Sequence, residues 1–444
     1  MKTITAALFL LALKPMLANA ESPMTLFDAY QQAQQYDATL RAAKADNAAQ
    51  QEGIDMAIAP FLPQARFSAY QGRASTDRES ATLSSSQHLV YDSQNFNFSV
   101  RQSIFNRANF AGYDQAKAVA AKSDAVFEKE RLSLISRVAV NYLNLLINSD
   151  NIHYSEAQKE SVQSQLDREK KRYEVGYGTI TEISEAEANL QQVIAKQLEW
   201  SNGLEYAKRE LETITGVYPI SYFSLDPGKL PLTEPNPASV EDWIATAYSK
   251  NPDILAAAKD IEVARQEVAK NSSGHYPTLD LVASRTHTES DAANTIGSKF
   301  DTDSIGLQLN VPIYSGGYVA ASVRQAVAKQ QKAEEILSER QRAVSADIRK
   351  YYNEIVNGIA RIHALESSVS SYDTALVGTQ KGFIAGVRSN VDVLNAQEKL
   401  YSSKRDLSKE RYSLIFNRIQ LKQSAGVLAD ADVQESSGWL SMRQ

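Results

Sequence analysis

The chain has no cysteine among its 444 residues. That absence excludes a disulfide framework, a thiol nucleophile, a cysteine zinc site and a lipid anchor on an N-terminal cysteine. Histidine is nearly as scarce. His88, His153, His275, His287 and His363 are scattered and form no H-E-x-x-H motif. Gly176-Tyr177-Gly178 lacks the third glycine and the preceding strand of a dinucleotide loop. No pair of carboxylates carries a sign of acid–base tuning, so the enzyme reading is the weakest and no cofactor or metal is expected. With 47 basic and 53 acidic residues the formal net charge is −6, which offers no basic footprint for nucleic acid. Beyond the N-terminus no stretch approaches eighteen apolar residues. If the mature chain crosses a membrane it must do so as a closed β-barrel, because only helices and closed barrels satisfy every backbone group in lipid.

What is present begins with an export signal over residues 1–20. Lys2 supplies the positive start, Ile4 to Leu13 the apolar run, and Ala18-Asn19-Ala20 an A-x-A cleavage site. The rest of the chain reads as a duplication with an offset of about 210 residues. Arg172-Tyr173-Glu174-Val175-Gly176 lies over Gly382-Phe383-Ile384-Ala385-Gly386, and Ile214-Thr215-Gly216-Val217 over Ser424-Ala425-Gly426-Val427. Earlier, Phe61-Leu62-Pro63 matches Tyr276-Pro277 and its neighbours after a small drift in register. The first repeat spans 21–217 and the second 239–427. Between them 218–238 is a proline-rich linker, and 428–444 is a polar C-terminal tail. Serines and acids cluster in two expected loops, near 75–94 and 286–303.

Each repeat reads helix, strand, loop, strand, very long helix, turn, helix. From about Asn109 to Glu174 there is no proline, enough for a helix of roughly 100 Å. Leu132, Ile135, Ala139, Tyr142 and Leu146 follow coiled-coil-like spacing, as do Ile348, Tyr352, Ile355, Ile359 and Ile362. On the helices alone a periplasmic coiled-coil scaffold fits equally well. The strands argue for a membrane wall. Ile305, Leu307, Leu309 and Val311 alternate with Gly306, Gln308 and Asn310, and Phe96, Phe98 and Val100 with Asn97, Ser99 and Arg101. Phe67, Tyr70, Tyr91, Phe105, Tyr276, Phe300 and Tyr314 flank these runs as candidate interface aromatics. A soluble half-buried sheet alternates in the same way, and Thr278 to Ser284 alternates poorly. Four strands cannot close a barrel, so the membrane reading requires two or more chains.

Ala59-Pro60-Phe61-Leu62-Pro63-Gln64, Gln102-Ser103-Ile104-Phe105-Asn106, Ala157-Gln158-Lys159-Glu160, His275-Tyr276-Pro277-Thr278-Leu279-Asp280-Leu281, Pro312-Ile313-Tyr314-Ser315-Gly316-Gly317 and Val391-Asp392-Val393-Leu394 occur in order. In their order, spacing and duplication they resemble the TolC family over nearly all of the mature chain. The resemblance implies a mixed α/β membrane protein and a homotrimer. Its twelve-stranded β-barrel would sit in outer-membrane lipid and continue as a twelve-helix periplasmic α-barrel. It implies docking with a periplasmic adaptor and an inner-membrane ABC, RND or MFS transporter, for type I protein secretion and multidrug efflux. A duct dedicated to one secreted protein is the alternative.

By its residues alone, Gly176 and Gly386 suit left-handed helix ends, and Thr179-x-x-Glu182 and Ser389-x-x-Asp392 suit capping boxes. The resemblance adds further roles. Gly176 and Gly386 mark tips that meet the adaptor. Arg388, Asp392, Thr181 and Glu182 match gate positions, with Arg388 bonded to Glu182 and Asp392 forming a cation-selecting ring. Asn395 stands where a second aspartate is expected, which makes that ring less negative. Phe383 stands where a tyrosine is expected, which removes a hydroxyl bond to the neighbouring helix.

Overall fold

The computed structural model describes residues 23–80 and 83–441. The export signal at 1–20 and the last three residues of the tail lie outside the described residues. Two short helices, α1 (Leu26–Tyr36) and α2 (Ala38–Ile58), lead into the hairpin β1 (Gln64–Ser80) and β2 (Leu83–Phe105). Then come α3 (Arg107–Glu174) and α4 (Ile180–Thr215). After a two-residue strand, β3 (Ser224–Leu225), the same order returns. It runs through α5 (Val240–Lys250), α6 (Pro252–Ser272), β4 (Thr278–Glu289), β5 (Lys299–Asn310), α7 (Tyr318–Ile384) and α8 (Asn390–Ser424). The chain closes with α9 (Asp430–Gly438) and β6 (Leu440–Ser441). At 68 and 67 residues, α3 and α7 each reach about 100 Å.

The sheet is antiparallel with order β1-β2-β4-β5. Its register sorts side chains by polarity. Ala65, Val100, Ala283 and Ile305 form one row across all four strands, and Arg66, Ser99, Ser284 and Ser304 the adjacent row on the opposite face. Val282 is why β4 alternates poorly. It sits on the polar face between Arg101 and Gly306. The polar face is internally bonded, with Arg101 on Asp280 at 2.5 Å and Thr286 donating to Asn97 at 2.9 Å. The apolar face is bare: Ile305, Leu307 and Leu309 are 77%, 68% and 64% exposed. Removing each from water would contribute about 1.5–3 kcal/mol.

The two expected loops need correction. Residues 75–94 are almost entirely strand, because the β1–β2 ribbon runs past the end of β4 and β5. Residues 286–289 and 299–303 are strand as well. Apart from Ser93, the described side chains of the projecting ribbon are exposed or half-buried, and no apolar period marks it in the sequence. Backbone pairing and cross-strand contacts hold it, among them Arg73 to Asp92 at 3.4 Å and His88 to Asp77 at 2.5 Å.

The main core lies partway along the long helices. Leu132, Ile135, Ala139, Tyr142 and Leu146 of α3 are all buried there, with Ile348, Ile355 and Ile362 of α7 and Tyr412, Ile415 and Ile419 of α8. Tyr352 and Ile359 pack partly buried against them. The proline-rich segment and the tail join this core: β3 pairs with β6, and Leu230, Leu428, Val433 and Leu440 are buried. The tail is thus docked on this core. The Tyr142 hydroxyl ties this core together by donating to the Met24 and Phe223 carbonyls. Burial pushes this phenol well above its ordinary value.

Candidate functional site: the two helix-hairpin tips

The far ends of α3/α4 and α7/α8 are two turns built alike. In the first, Gly176 has φ +81° and accepts no strain there, since it carries no Cβ. The Gly176 N–H donates to the Tyr173 carbonyl at 3.0 Å and the Tyr177 N–H to the Arg172 carbonyl at 2.9 Å. In the second, Gly386 has φ +78°, its N–H donates to Phe383 at 3.0 Å, and Val387 N–H donates to Gly382 at 2.9 Å. Both are Schellman ends that satisfy the last carbonyls of a long helix.

The following helices open with reciprocal capping boxes. Glu182 N–H donates to Thr179 Oγ1 at 3.2 Å, while Thr179 N–H donates to Glu182 Oε2 at 2.8 Å. Asp392 N–H donates to Ser389 Oγ at 3.1 Å, and Ser389 N–H to Asp392 Oδ2 at 2.9 Å. The Ser389 backbone and hydroxyl bonds, helped by Arg388, hold the Asp392 carboxyl below the usual carboxylate range.

The sequence-derived residues fall as follows. Arg388, Thr181 and Asn395 are exposed, Glu182 and Asp392 are half-buried, and Phe383 is buried with Leu376, Val393 and Leu400. Within the chain the guanidinium nearest Glu182 is that of Arg172, at 3.9 Å, rather than that of Arg388. Arg388 instead lies over Gly382, where an added Cβ would stand 2.9 Å from its Cγ. Apolar side chains project from both turns: Tyr177 and Ile384 are more than four-fifths exposed, with Val175 and Val387 beside them.

A buried polar cluster fastens the two hairpins side by side, and sequence reasoning missed it. Gln165 Nε2 donates to Asn390 Oδ1 at 2.7 Å and to Glu169 Oε1 at 2.5 Å. Asn390 Nδ2 donates to the Glu182 carbonyl at 3.2 Å. Arg172 Nη1 donates to Glu169 Oε2 at 2.9 Å, and its guanidinium carbon lies 4.6 Å from the centre of the Phe383 ring. Burial raises the Glu169 carboxyl above its ordinary value, against the lowering pull of Arg172. One signal was available. Gln165 and Glu169 continue the buried stripe of Val162 and Leu166, so they are polar residues in seam positions.

Among the described residues no group of three or more histidines, cysteines or carboxylates could hold a metal, and no helix is long and apolar enough to cross a membrane.

Known proteins place this geometry. A family model described as outer membrane efflux protein matches residues 29–217 and 243–427. The alkaline protease secretion protein AprF of Pseudomonas aeruginosa is 33% identical over 413 residues, 92% of this chain and 86% of that protein. The outer membrane protein TolC of Vibrio cholerae is 32% identical over 441 residues, 98% of each. Among solved structures, CusC shares the fold with a TM-score of 0.79 at 14% identity, covering 90% of this chain and 92% of that one. From the family match, the two relatives and the shared fold, the chain belongs to the outer membrane efflux protein family, the TolC-like channels of the outer membrane.

Proposed function

We propose that the chain is one subunit of a homotrimeric exit duct, used for type I protein secretion and small-molecule efflux. The observation that carries this reading is the open four-stranded sheet. Its outer strands β1 and β5 are each paired on one side only among the described residues, and its apolar face is bare. In lipid, open edges are untenable, so neighbouring copies must pair β1 with β5 until a ring closes. Three copies would give twelve strands, with the long helices continuing the wall as a twelve-helix tunnel. The two repeats, 21–217 and 239–427, would each supply one hairpin of strands and one of helices.

The tips would then form the closed end. In the ring Arg388, exposed and without an ion pair inside its own chain among the described residues, would meet Glu182 or Thr181 of a neighbouring copy. Asp392, kept ionised by its cap, would line a negative constriction. Asn395 adds no charge to it. The projecting Tyr177, Ile384 and Val387 beside Gly176 and Gly386 would give the periplasmic adaptor an apolar landing surface. Transport energy would come from an inner-membrane ABC, RND or MFS transporter, as the family resemblance implies.

Planar-bilayer conductance of the detergent-extracted protein, with its mass taken in the same detergent, tests the reading. A trimer giving small, cation-preferring, mostly closed channels supports it. A protein that stays soluble and never inserts points to the coiled-coil scaffold instead. A second reading, a duct for one secreted protein, is favoured by the relatives AprF and the proteases secretion protein PrtF of Dickeya chrysanthemi, both named for protease secretion. Deleting the gene and comparing secreted proteins with drug susceptibility separates the two.

A further inference from the structure

Beside the Gln165–Asn390–Glu182 hydrogen bonds, Arg172 makes a second side-chain contact between the two hairpins at their tips. Its backbone carbonyl is fixed first, accepting the Tyr177 N–H at 2.9 Å and the Gly178 N–H at 3.1 Å. Gly178 permits that closeness, since a Cβ there would stand 2.9 Å from the Tyr173 nitrogen. The guanidinium is then held at its edge, by Glu169 at 2.9 Å, the Tyr177 carbonyl at 3.4 Å and Glu182 at 3.9 Å. Its face remains for Phe383 on α7, with 4.6 Å from guanidinium carbon to ring centre. A planar cation can use edge and face together, which an ammonium group does less well.

The arrangement is one-sided. In the second turn the carbonyl that accepts the corresponding bond belongs to Gly382, which has no side chain to reach back toward α3. The contact therefore depends on one arginine and one ring. Phe383 is 8% exposed and packs with Val393 and Leu400, so anything that draws α7 and α8 away from α3 must break the stack.

We propose that Arg172 and Phe383 form an intrachain latch that holds the α7/α8 tip against the α3/α4 tip and keeps the tunnel end closed. This deepens the duct reading and rests on it. It also gives the phenyl ring at position 383 a holding role that needs no hydroxyl. Phe383 acts through its π face, and Arg172 is a positioning residue rather than part of the pore lining.

Arg172→Gln, Phe383→Leu, Phe383→Tyr and the double variant Arg172→Gln/Phe383→Leu test the latch in planar bilayers. Amide hydrogen exchange at residues 172–178 and 383–388 is measured on the same detergent-solubilised full chains. Arg172→Gln and Phe383→Leu should each raise the open-to-closed ratio about five- to thirty-fold. Exchange at both tips should rise in parallel. Phe383→Tyr, which keeps the ring and adds a hydroxyl, should raise neither the open-to-closed ratio nor the exchange above the parent's. The double variant should fall within about twofold of the stronger single, because both remove one contact. Parent-like exchange in both singles, or effects that multiply in the double, overturns the latch. A loss of helix signal or of oligomer in Arg172→Gln is resolved by Phe383→Leu, which keeps an apolar side chain and every polar contact. If the parent never conducts while tip exchange still rises without additivity, the duct reading fails and takes the tunnel-closing role with it, leaving only a contact between the two tips. If the parent conducts and the variants match it in both measurements, only the latch fails.

Discussion

Gln165 on α3 and Asn390 on α8 share a hydrogen bond of 2.7 Å while each is only 1% exposed. The bond joins the first helix hairpin to the second where apolar packing gives out, between the cluster around Val162 and Ile183 and the cluster around Phe383 and Val393. A buried amide pair costs little when both members are satisfied and much when one is removed. Asn390→Leu leaves the Gln165 donor short of a partner and frees the Glu182 carbonyl. It should destabilise the tips by about 1–3 kcal/mol, read as a lowered thermal midpoint of the detergent-solubilised protein. An unchanged midpoint would mean that water replaces the amide at no cost.

Glu169 makes the tips pH-sensitive, and the sign follows from its environment. Burial raises its carboxyl above the ordinary 4.5, while Arg172 pulls it down and Glu182 pushes it further up; Gln165 donates to it. A carboxyl raised in the closed state binds its proton more tightly there than when exposed. Its contribution to stability is full below the ordinary glutamate value and is lost as pH rises through the raised one. Protection of the tip amides, taken relative to the free-peptide exchange rate at each pH, should therefore be greater at mildly acidic than at neutral pH. Glu169→Gln should flatten that dependence and slow exchange at neutral pH. A variant with the parent's pH profile would assign the effect to another group.

For Asp392 the sign is opposite. Bonds from Ser389 hold its carboxyl below the usual 3.8, so a negative constriction should keep its charge well into the acid range. Asp392→Asn should lower cation preference at neutral pH while retaining much of the cap. Reversal potentials in a salt gradient measure this. Potentials that stay put would place Asp392 away from the pore.

Arg388 is positioned by a missing side chain. A Cβ at Gly382 would press on its Cγ at 2.9 Å, so Gly382→Ala should displace it. Arg388→Ala should raise single-channel conductance, and Gly382→Ala should raise it less. Equal conductance in all three proteins would remove Arg388 from the gate.

The two faces of β5 should respond unequally to charge. Leu307→Lys, on the bare apolar face, should cost about 2–4 kcal/mol if that face meets the middle of the bilayer. Gln308→Lys, one residue on and facing the other way, should cost little. Urea unfolding in lipid vesicles compares them, and equal costs would mean that neither face meets lipid.

The sequence by itself determined the long helices, their caps and the alternating strands. These rest on local periods and on residues such as Gly176, Gly386, Thr179 and Ser389, whose effect reaches only a turn away. It also carried the family motifs, which depend on order along the chain. Tertiary structure decided what depends on residues far apart. The projecting β1–β2 ribbon has no apolar period to announce it, so residues 75–94 read as loop until their backbone pairing is seen. The tail reads as polar until Leu428, Val433 and Leu440 find the central core. The meeting of Gln165 with Asn390 and of Arg172 with Phe383 spans more than two hundred residues. No local pattern encodes it, because it exists only where two separately formed hairpins come to lie against each other.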